Sequence, residues 1–205
     1  DRRPGPMTVT ITAIGDVPAG FRLTRDGARP GDALFVTGTL GDAACGLKLR
    51  RGDEDPRDWP LSSNERAELI ARYLRPQPRL DIAPLLRRVA TAAMDLSDGL
   101  AKDLGRLAAA SSAGAVIERA LLPVSPAVRR LASADPSIDR LILSGGDDYE
   151  LLFVASHDHE AENRTWAATA GTPVTRIGRI TEAPGLLLRT IDGDRPLVPA
   201  GWEHF

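Results

Sequence analysis

The sequence contains a single cysteine, Cys45, among its 205 residues. An internal disulfide is therefore impossible, and a reducing cytoplasm is the expected location. No apolar run approaches the roughly 20 residues of a membrane-spanning helix, and no signal-peptide pattern is present, so we expect no membrane partner. Basic residues number 26 and acidic residues 28, for a net charge of −2. This near balance gives no general attraction for nucleic acid, which we do not expect as a partner.

The composition is that of an ordinary globular protein, with 42% hydrophobic and 26% charged residues. A chain of this length can build one domain with a real core, or one domain plus a fragment of another. Gly38 and Gly41 follow a predicted strand, but the G-x-x-x-x-G-K-[ST] phosphate loop does not occur anywhere. Small residues at a close strand–helix crossing explain these two glycines.

Residues 7–15 alternate apolar and polar side chains, with Val9 and Ile11 on one side and threonines on the other. This period of two predicts a strand. A lone strand is unstable, and nothing before it offers a partner. The chain also begins without methionine, so we expect a protein that is longer at its N-terminus.

Predicted strands and helices alternate along the rest of the chain. The strands are predicted at 33–37, 89–94, 114–117, 151–154, 175–180 and 186–191. The helices are predicted at 43–49, 62–74, 81–88, 100–110, 125–134 and 160–170. Ser62 with Glu65 forms a capping box, and Ser125 before Pro126 is a second helix start. Because the last strands follow one another as a meander, the pattern predicts an α/β or α+β layered fold with a mixed sheet.

Residues 94–100, Met-Asp-Leu-Ser-Asp-Gly-Leu, form the first of two acidic turns. An apolar strand precedes it and an amphipathic helix follows, so Asp95 and Asp98 lie at the turn. Unpaired N–H groups at a helix start can hold phosphate oxygens, and two carboxylates can hold the Mg²⁺ that accompanies phosphate. The alternative is that Ser97 or Asp98 only caps the helix.

Residues 144–150, Ser-Gly-Gly-Asp-Asp-Tyr-Glu, form the second acidic turn, directly before a buried strand. Loops at strand boundaries can bring their ligands together at one edge of a sheet. Like charges brought close repel unless a cation joins them. Two such turns therefore favour a multi-metal phosphate site, although two solvated acidic rims would give the same pattern.

These two turns resemble the motifs of the thiamine-monophosphate kinases, a family of the superfamily that includes aminoimidazole ribonucleotide synthetase and selenophosphate synthetase. The resemblance extends in order along essentially the whole chain. Its further segments are 23–32, 36–42 and the closing Gly-Trp-x-His-Phe of residues 201–205. It implies the C-terminal domain of the aminoimidazole ribonucleotide synthetase-like fold, with a mixed sheet and packed helices. The expected domains are residues 1–28, a last strand and connector of an N-terminal ATP-binding domain, and residues 29–205.

The resemblance implies a cytoplasmic enzyme that uses Mg²⁺ and transfers a phosphoryl group from ATP to thiamine monophosphate, and a homodimer in the full-length protein. By motif, the implied metal ligands are Asp1, Asp95 and Asp98. The implied ATP contacts are Asp1, Arg25 and Ser97, and the implied substrate contacts are Asp147 and Trp202. A solvated arginine is the alternative for Arg25, and a hydrophobic plug is the alternative for Trp202, whose ring could otherwise make a cation–π contact with the thiazolium.

Most of the family's N-terminal domain, with further metal ligands, has no counterpart in the chain. We therefore expect this chain to be inactive alone, with activity in the full-length protein. Two other functions stay open at this point. One is another ATP-using enzyme of the same superfamily, with a different acceptor. The other is a non-catalytic interaction domain whose acidic turns are solvated.

Overall fold

The short apolar runs of the sequence form the strands of one sheet in the computed structural model, which describes residues 8–52, 58–156 and 171–203. The strands are β1 Ala33–Thr37, β2 Ala90–Asp95, β3 Gly114–Glu118, β4 Leu151–Ala155, β5 Val174–Thr181, β6 Gly185–Thr190 and β7 Gly193–Pro196. Their order across the sheet is β2-β4-β1-β5-β3-β6-β7. Neighbours are antiparallel except β3 and β6, which are parallel. The predicted mixed sheet is confirmed.

The helices lie between these strands in the chain. They are α1 Asp42–Arg51, α2 Ser63–Leu74, α3 Ala83–Val89, α4 Leu100–Ala110, α5 Pro126–Ala134 and α6 Ile138–Ser144, with short 3₁₀ turns at Leu80–Ile82 and Arg119–Leu121. In the described ranges no helix has both the length and the apolar character that a membrane crossing requires.

The core has two parts because β1 is buried on both faces. Leu34 and Val36 belong to the larger cluster, together with the apolar sides of α4, α5 and α6. Phe35 belongs to a smaller cluster that also holds residues of α3, and its ring stacks on that of Phe153 with centroids 5.2 Å apart. β1 is buried at all five positions and apolar at its first four, Ala33 to Val36, as two buried faces require.

Both predicted helix caps are present. The Ser62 hydroxyl accepts the N–H of Glu65, and the Glu65 carboxylate accepts the N–H of Ser62 at 2.9 Å, which completes the capping box at the start of α2. The Ser125 hydroxyl accepts the N–H of Val128 at 3.2 Å, with Pro126 at the first helical position of α5. The starts of α2 and α5 could therefore be predicted from neighbouring residues in the sequence alone.

We expect a Ser62→Ala substitution to lower the free energy of unfolding by about 1 kcal/mol, because it removes the acceptor for an otherwise unpaired N–H of α2. Urea unfolding measures this change. Ser63→Ala is the control, since the Ser63 side chain is exposed and lies just inside the helix. Equal stability of the two variants would contradict the capping argument.

Three expectations differ from the structure or fall outside it. Residues 8–15 form no strand, and their apolar side chains are exposed, Ile11 at 88% and Ile14 at 95%. Their alternation is a strand pattern, but among the described residues no neighbouring strand supplies hydrogen bonds to it. The terminal strands are not a simple meander either, because β3 lies between β5 and β6. The helix predicted at 160–170 lies outside the described residues.

Candidate active site

The two acidic turns are hydrogen-bonded to each other. They continue the β2–β4 ladder beyond its last strand residues, where the N–H of Leu96 donates to the carbonyl of Glu150 at 2.8 Å. The N–H of Tyr149 then donates to the carbonyl of Leu96 at 2.9 Å. Finally the N–H of Asp147 donates to the carbonyl of Ser97 at 2.9 Å. The predicted meeting of the two turns at one edge of the sheet is therefore a direct backbone contact.

Two glycines, Gly146 and Gly99, make this contact possible. A Cβ atom at Gly146 would lie 2.6 Å from the Ser97 carbonyl oxygen, closer than carbon and oxygen atoms approach in proteins. Gly99, at the start of α4, has φ of 114°, and a Cβ there would lie 2.7 Å from the Ser144 carbonyl carbon. Both residues let the turns approach without a side chain between them.

A cleft of about 860 Å³ opens beside the joined turns. Four of the predicted site residues line it: Ser97, Asp98, Asp147 and Trp202. They come from separate parts of the sequence, and the sheet edge and the C-terminal segment bring them together. The two acidic turns therefore share one cleft, through Ser97 and Asp98 of the first and Asp147 of the second.

The other three predicted site residues are not part of this lining. Asp95 is exposed at the end of β2, close enough to affect the charge environment of Tyr149. Arg25 is exposed, and its carbonyl accepts a hydrogen bond from the Ser111 hydroxyl at the far end of α4. Asp1 lies outside the described residues. Their roles as metal or ATP ligands stay predictions.

Asp98 is the most buried carboxylate of the cleft, with its side chain 5% exposed. Its Oδ2 lies 2.6 Å from Nη1 of Arg106 and 3.9 Å from Nζ of Lys102. Lys102 and Arg106, whose Nη1 also lies 2.8 Å from Oδ1 of Asp103, therefore place positive charge beside Asp98, which offsets part of the cost of burying its carboxylate.

Asp103, which the sequence analysis did not assign, caps the start of α4. Its Oδ2 accepts the N–H groups of Asp98 at 2.9 Å and of Gly99 at 3.2 Å. The N-cap position of α4 is Gly99, which has no side chain to cap the helix. These two N–H groups are thus already bonded, so our expectation that the unpaired groups at this turn hold phosphate directly is wrong for them. The side chain of Asp98 is left to face the cleft.

Asp147 and Tyr149 have unusual backbones. Their φ angles are 69° and 49°, in the left-handed region that side chains other than glycine rarely adopt. Burial, followed by the negative charge of Asp98, raises the pKa of the Asp147 carboxyl above its ordinary value. Strained backbones and carboxylates that repel each other both occur at sites organised for a ligand. A bound ligand can relieve the repulsion.

Trp202 reaches the cleft because the C-terminal segment crosses the start of α4. The N–H of Trp202 donates to the carbonyl of Asp98 at 3.0 Å, and Nζ of Lys102 donates to the Trp202 carbonyl. A Cβ at Gly201 would lie 2.2 Å from that Asp98 carbonyl, so the crossing also depends on glycine. The indole remains 54% exposed. It is therefore not a buried plug, and its ring is accessible to a ligand.

Several aromatic and basic residues that were not predicted from the sequence line the rest of the cleft. They are Lys48, Arg51, Trp59, Tyr73, Arg140 and Tyr149. Tyr149 was within the second motif, where its position between two acids was the available signal. The others lie on α1, α2, α6 and the segment after the first helix, and no spacing in the sequence connects them to the acidic turns.

The remaining two acids of the second turn do not face the cleft. Both carboxylate oxygens of Asp148 accept backbone N–H groups at the start of α1, from Gly41 at 2.8 Å and from Ala43 at 3.2 Å. The carboxylate of Glu150 is buried in an ion-pair cluster with Arg72 and Arg79. Of the three acids counted in this turn, only Asp147 is available to a ligand.

The pKa of Asp148 predicts a pH dependence of stability. Burial raises this pKa to about 7, with the charge of Asp42 adding to the effect and the two N–H donors and Arg72 opposing it. The folded protein therefore keeps the proton up to about pH 7, whereas the unfolded chain loses it near pH 3.8. Protonation stabilises the folded state in this range, so we expect the free energy of unfolding to fall as pH rises from about 4 to 7.

The expected slope is on the order of 1 kcal/mol per pH unit, from this group alone. Urea unfolding of wild type and Asp148→Asn across this range isolates the contribution, because asparagine does not titrate. We expect the difference in stability between the two proteins to change with pH. A constant difference from pH 4 to 7 would show that Asp148 does not carry the proton.

The described residues do not form a complete metal site by themselves. In residues 8–52, 58–156 and 171–203, no three acidic, histidine or cysteine side chains converge on a common point. Asp98 and the exposed Asp95 nevertheless offer carboxylate oxygens beside the cleft. Such oxygens suit Mg²⁺, which commonly takes one or two protein carboxylates and completes its coordination with water and substrate phosphates.

The fold and the paired acidic turns define a class of protein. Residues 29–189 match the family described as AIR synthase related protein, C-terminal domain, and the chain belongs to this family. The chain is also similar to curated thiamine-monophosphate kinases. The enzyme of Escherichia coli strain K12 is 39% identical over 206 residues, which cover 100% of this chain and 62% of that protein.

Solved structures agree with this relationship. The thiamine-monophosphate kinase of Stenotrophomonas maltophilia K279a has a TM-score of 0.75 and 40% identity, over 84% of this chain and 54% of that one. AaThiL, in a structure complexed with AMPPCP and TMP, has a TM-score of 0.73 and 35% identity, over 89% of this chain and 54% of that one. The chain thus spans between half and two thirds of the length of the relatives it resembles.

Proposed function

We propose that the natural full-length protein transfers the γ-phosphoryl group of ATP to thiamine monophosphate and forms thiamine diphosphate. The observation that carries this proposal is the backbone pairing of Asp147 with Ser97, which places the two acidic turns on one cleft. The relative complexed with AMPPCP and TMP supports both substrates, because it shares the fold at 35% identity. The acceptor is already an anionic phosphate, so the reaction needs alignment and charge neutralisation more than a strong base.

Asp95 and Asp98 would hold Mg²⁺ in this proposal, together with Asp1, which lies outside the described residues. Bound magnesium would neutralise and align the phosphate oxygens of the two substrates. The chain's own contribution is to hold the Asp98 carboxylate in place, and Arg106 and Lys102 do so through their ion pairs with it. Ser97 is half-buried at the same turn and would contact ATP. Arg25 would contact ATP from the connector.

Asp147 and Trp202 would bind the thiamine part of the acceptor. The thiazolium ring is cationic, and a carboxylate beside an accessible indole attracts a cation by charge and by the cation–π interaction. Burial and then the charge of Asp98 raise the pKa of the Asp147 carboxyl, and a bound cation would favour its charged form. Neither residue needs to donate or accept a proton in the reaction.

The homodimer, the cytoplasmic location and the domain boundary near residue 28 are proposals that rest on the resemblance. The exposed apolar side chains of residues 8–17 fit an additional partner for this segment in the full-length protein. We expect the chain alone to be inactive, because its described residues form no complete metal site and the relatives are longer.

The test is a phosphoryl-transfer assay on the natural full-length protein with Mg²⁺–ATP and thiamine monophosphate, in which ³¹P NMR identifies the product. We expect thiamine diphosphate and ADP in equal amounts, no product without a divalent cation, and no product from thiamine itself. Turnover only with a different phosphate-bearing acceptor would favour another enzyme of the superfamily. Absence of both turnover and Mg²⁺–ATP binding would favour a non-catalytic domain.

A further inference from the structure

The Glu150 side chain, just before β4, is bound by more hydrogen-bond donors than are needed to fix the start of a strand. Its carboxylate is fully buried and accepts four hydrogen bonds. The Thr37 hydroxyl donates at 2.7 Å, Nη2 of Arg72 donates at 2.7 Å, and Arg79 donates through Nε at 2.7 Å and through Nη2 at 2.6 Å. Two guanidinium groups on one carboxylate make an anchor of high geometric precision, because each donor lies in a rigid plane.

This anchor lies directly after the strained part of the second turn. Asp147 and Tyr149 both have positive φ angles, and such backbones persist only where the surroundings hold them. Asp148 is fixed on one side by its two N–H donors, at the start of α1. The Glu150 side chain is fixed on the same side of the chain, away from the cleft. Residues 147 and 149, which alternate with 148 and 150, therefore line the cleft.

The same residue also joins the two turns. The Glu150 carbonyl accepts the N–H of Leu96 at 2.8 Å, while its carboxylate binds Arg79. A shift of this side chain would therefore be transmitted in both directions, to Asp147 along its own turn and to residue 96 across the ladder. Thr37 strengthens the connection, since its hydroxyl also accepts the N–H of Leu151 at 2.8 Å.

We propose that Glu150, held by Arg72 and Arg79, is a positioning residue that fixes Asp147 for the acceptor substrate. The proposal rests on the proposed function, in which Asp147 contacts the thiamine part of thiamine monophosphate. Glu150 and its two arginines do not line the cleft. Their effect is to present the Asp147 carboxylate in one orientation before the acceptor arrives, which lowers the cost of ordering it on binding.

The experiment compares Arg79→Gln and Arg79→Lys with wild type in the natural full-length protein. We expect Arg79→Gln to raise the KM for thiamine monophosphate about tenfold, with the KM for ATP and kcat changed less than about twofold, because a looser contact made equally in ground and transition states changes KM alone. Arg79→Lys keeps the charge but loses the planar pair of donors, so an intermediate rise is expected. This milder variant keeps the test valid if Arg79→Gln folds poorly.

Arg75→Gln is the matched control. Arg72, Arg75 and Arg79 line a second cavity beside α2, which shares no residues with the cleft. The Arg75 side chain is exposed and donates none of the hydrogen bonds to Glu150. An unchanged KM for thiamine monophosphate in the Arg79 variants, or an equal rise in the KM for ATP, would overturn the positioning role while wild type still turns over. Absence of thiamine monophosphate turnover in wild type would instead overturn the proposed function, and this inference with it.

Discussion

An Asp98→Asn substitution in the natural full-length protein should lower the kcat of thiamine monophosphate phosphorylation on the order of 10²- to 10³-fold, the size of effect seen when one electrostatic group is removed from a transition-state site. Asparagine keeps the shape of the side chain but not its charge. The change leaves Arg106 and Lys102 without the carboxylate that they balance and removes a metal ligand of the proposed site. Steady-state kinetics at saturating Mg²⁺–ATP measure the loss.

Asp139→Asn is the matched control for this experiment. Asp139 also forms an ion pair with an arginine, Arg119, but it does not line the cleft. Any loss that comes only from breaking an aspartate–arginine pair should appear in both variants. A kcat for Asp98→Asn within about threefold of the control would contradict a role for Asp98 in the reaction.

A Gly146→Ala substitution should lower kcat/KM about 100-fold, because it pushes the two acidic turns apart. The new Cβ would meet the Ser97 carbonyl oxygen at 2.6 Å, and a backbone oxygen cannot rotate away as a side chain can. Displacements near 1 Å in a catalytic arrangement cost about two orders of magnitude in rate. We expect the KM for both substrates to rise, since Ser97 and Asp147 belong to opposite sides of the contact.

Gly178→Ala provides a control for loss of stability. A Cβ at Gly178 would lie 2.0 Å from the Val116 carbonyl oxygen, in the β3–β5 ladder rather than at the cleft. This variant should unfold at a lower temperature, yet its folded molecules should keep the wild-type KM values. If both glycine variants show the same KM values as wild type, the spacing of the two turns does not matter for binding.

Sequence patterns predicted the parts of this fold that local chemistry decides. The Ser62 capping box, the Ser125 start and the apolar run of β1 need only neighbouring residues to be recognised. The segment 8–15 shows the limit of such patterns, because alternation specifies a strand only when another strand pairs with it. The position of β3 between β5 and β6 is likewise set by long-range pairing.

The sequence predicted where the candidate site lies, but not which role each of its acidic residues has. Three acids of one turn looked equivalent in sequence, yet Asp147 faces the cleft while Asp148 caps α1 and Glu150 binds two arginines. Their partners come from the start of α1 and from the segment around α2, distant in sequence. Asp103 binds the backbone N–H groups at the start of α4, a role that only the helix geometry could show.

The most direct test of the paired turns is hydrogen–deuterium exchange, followed by mass spectrometry, on the natural full-length protein with and without an unreactive ATP analogue, Mg²⁺ and thiamine monophosphate. If the two turns form one phosphoryl-transfer site, peptides covering residues 95–99 and 145–149 will both exchange more slowly with the ligands bound. Protection confined to one of these segments, or found only elsewhere in the protein, would contradict a shared site.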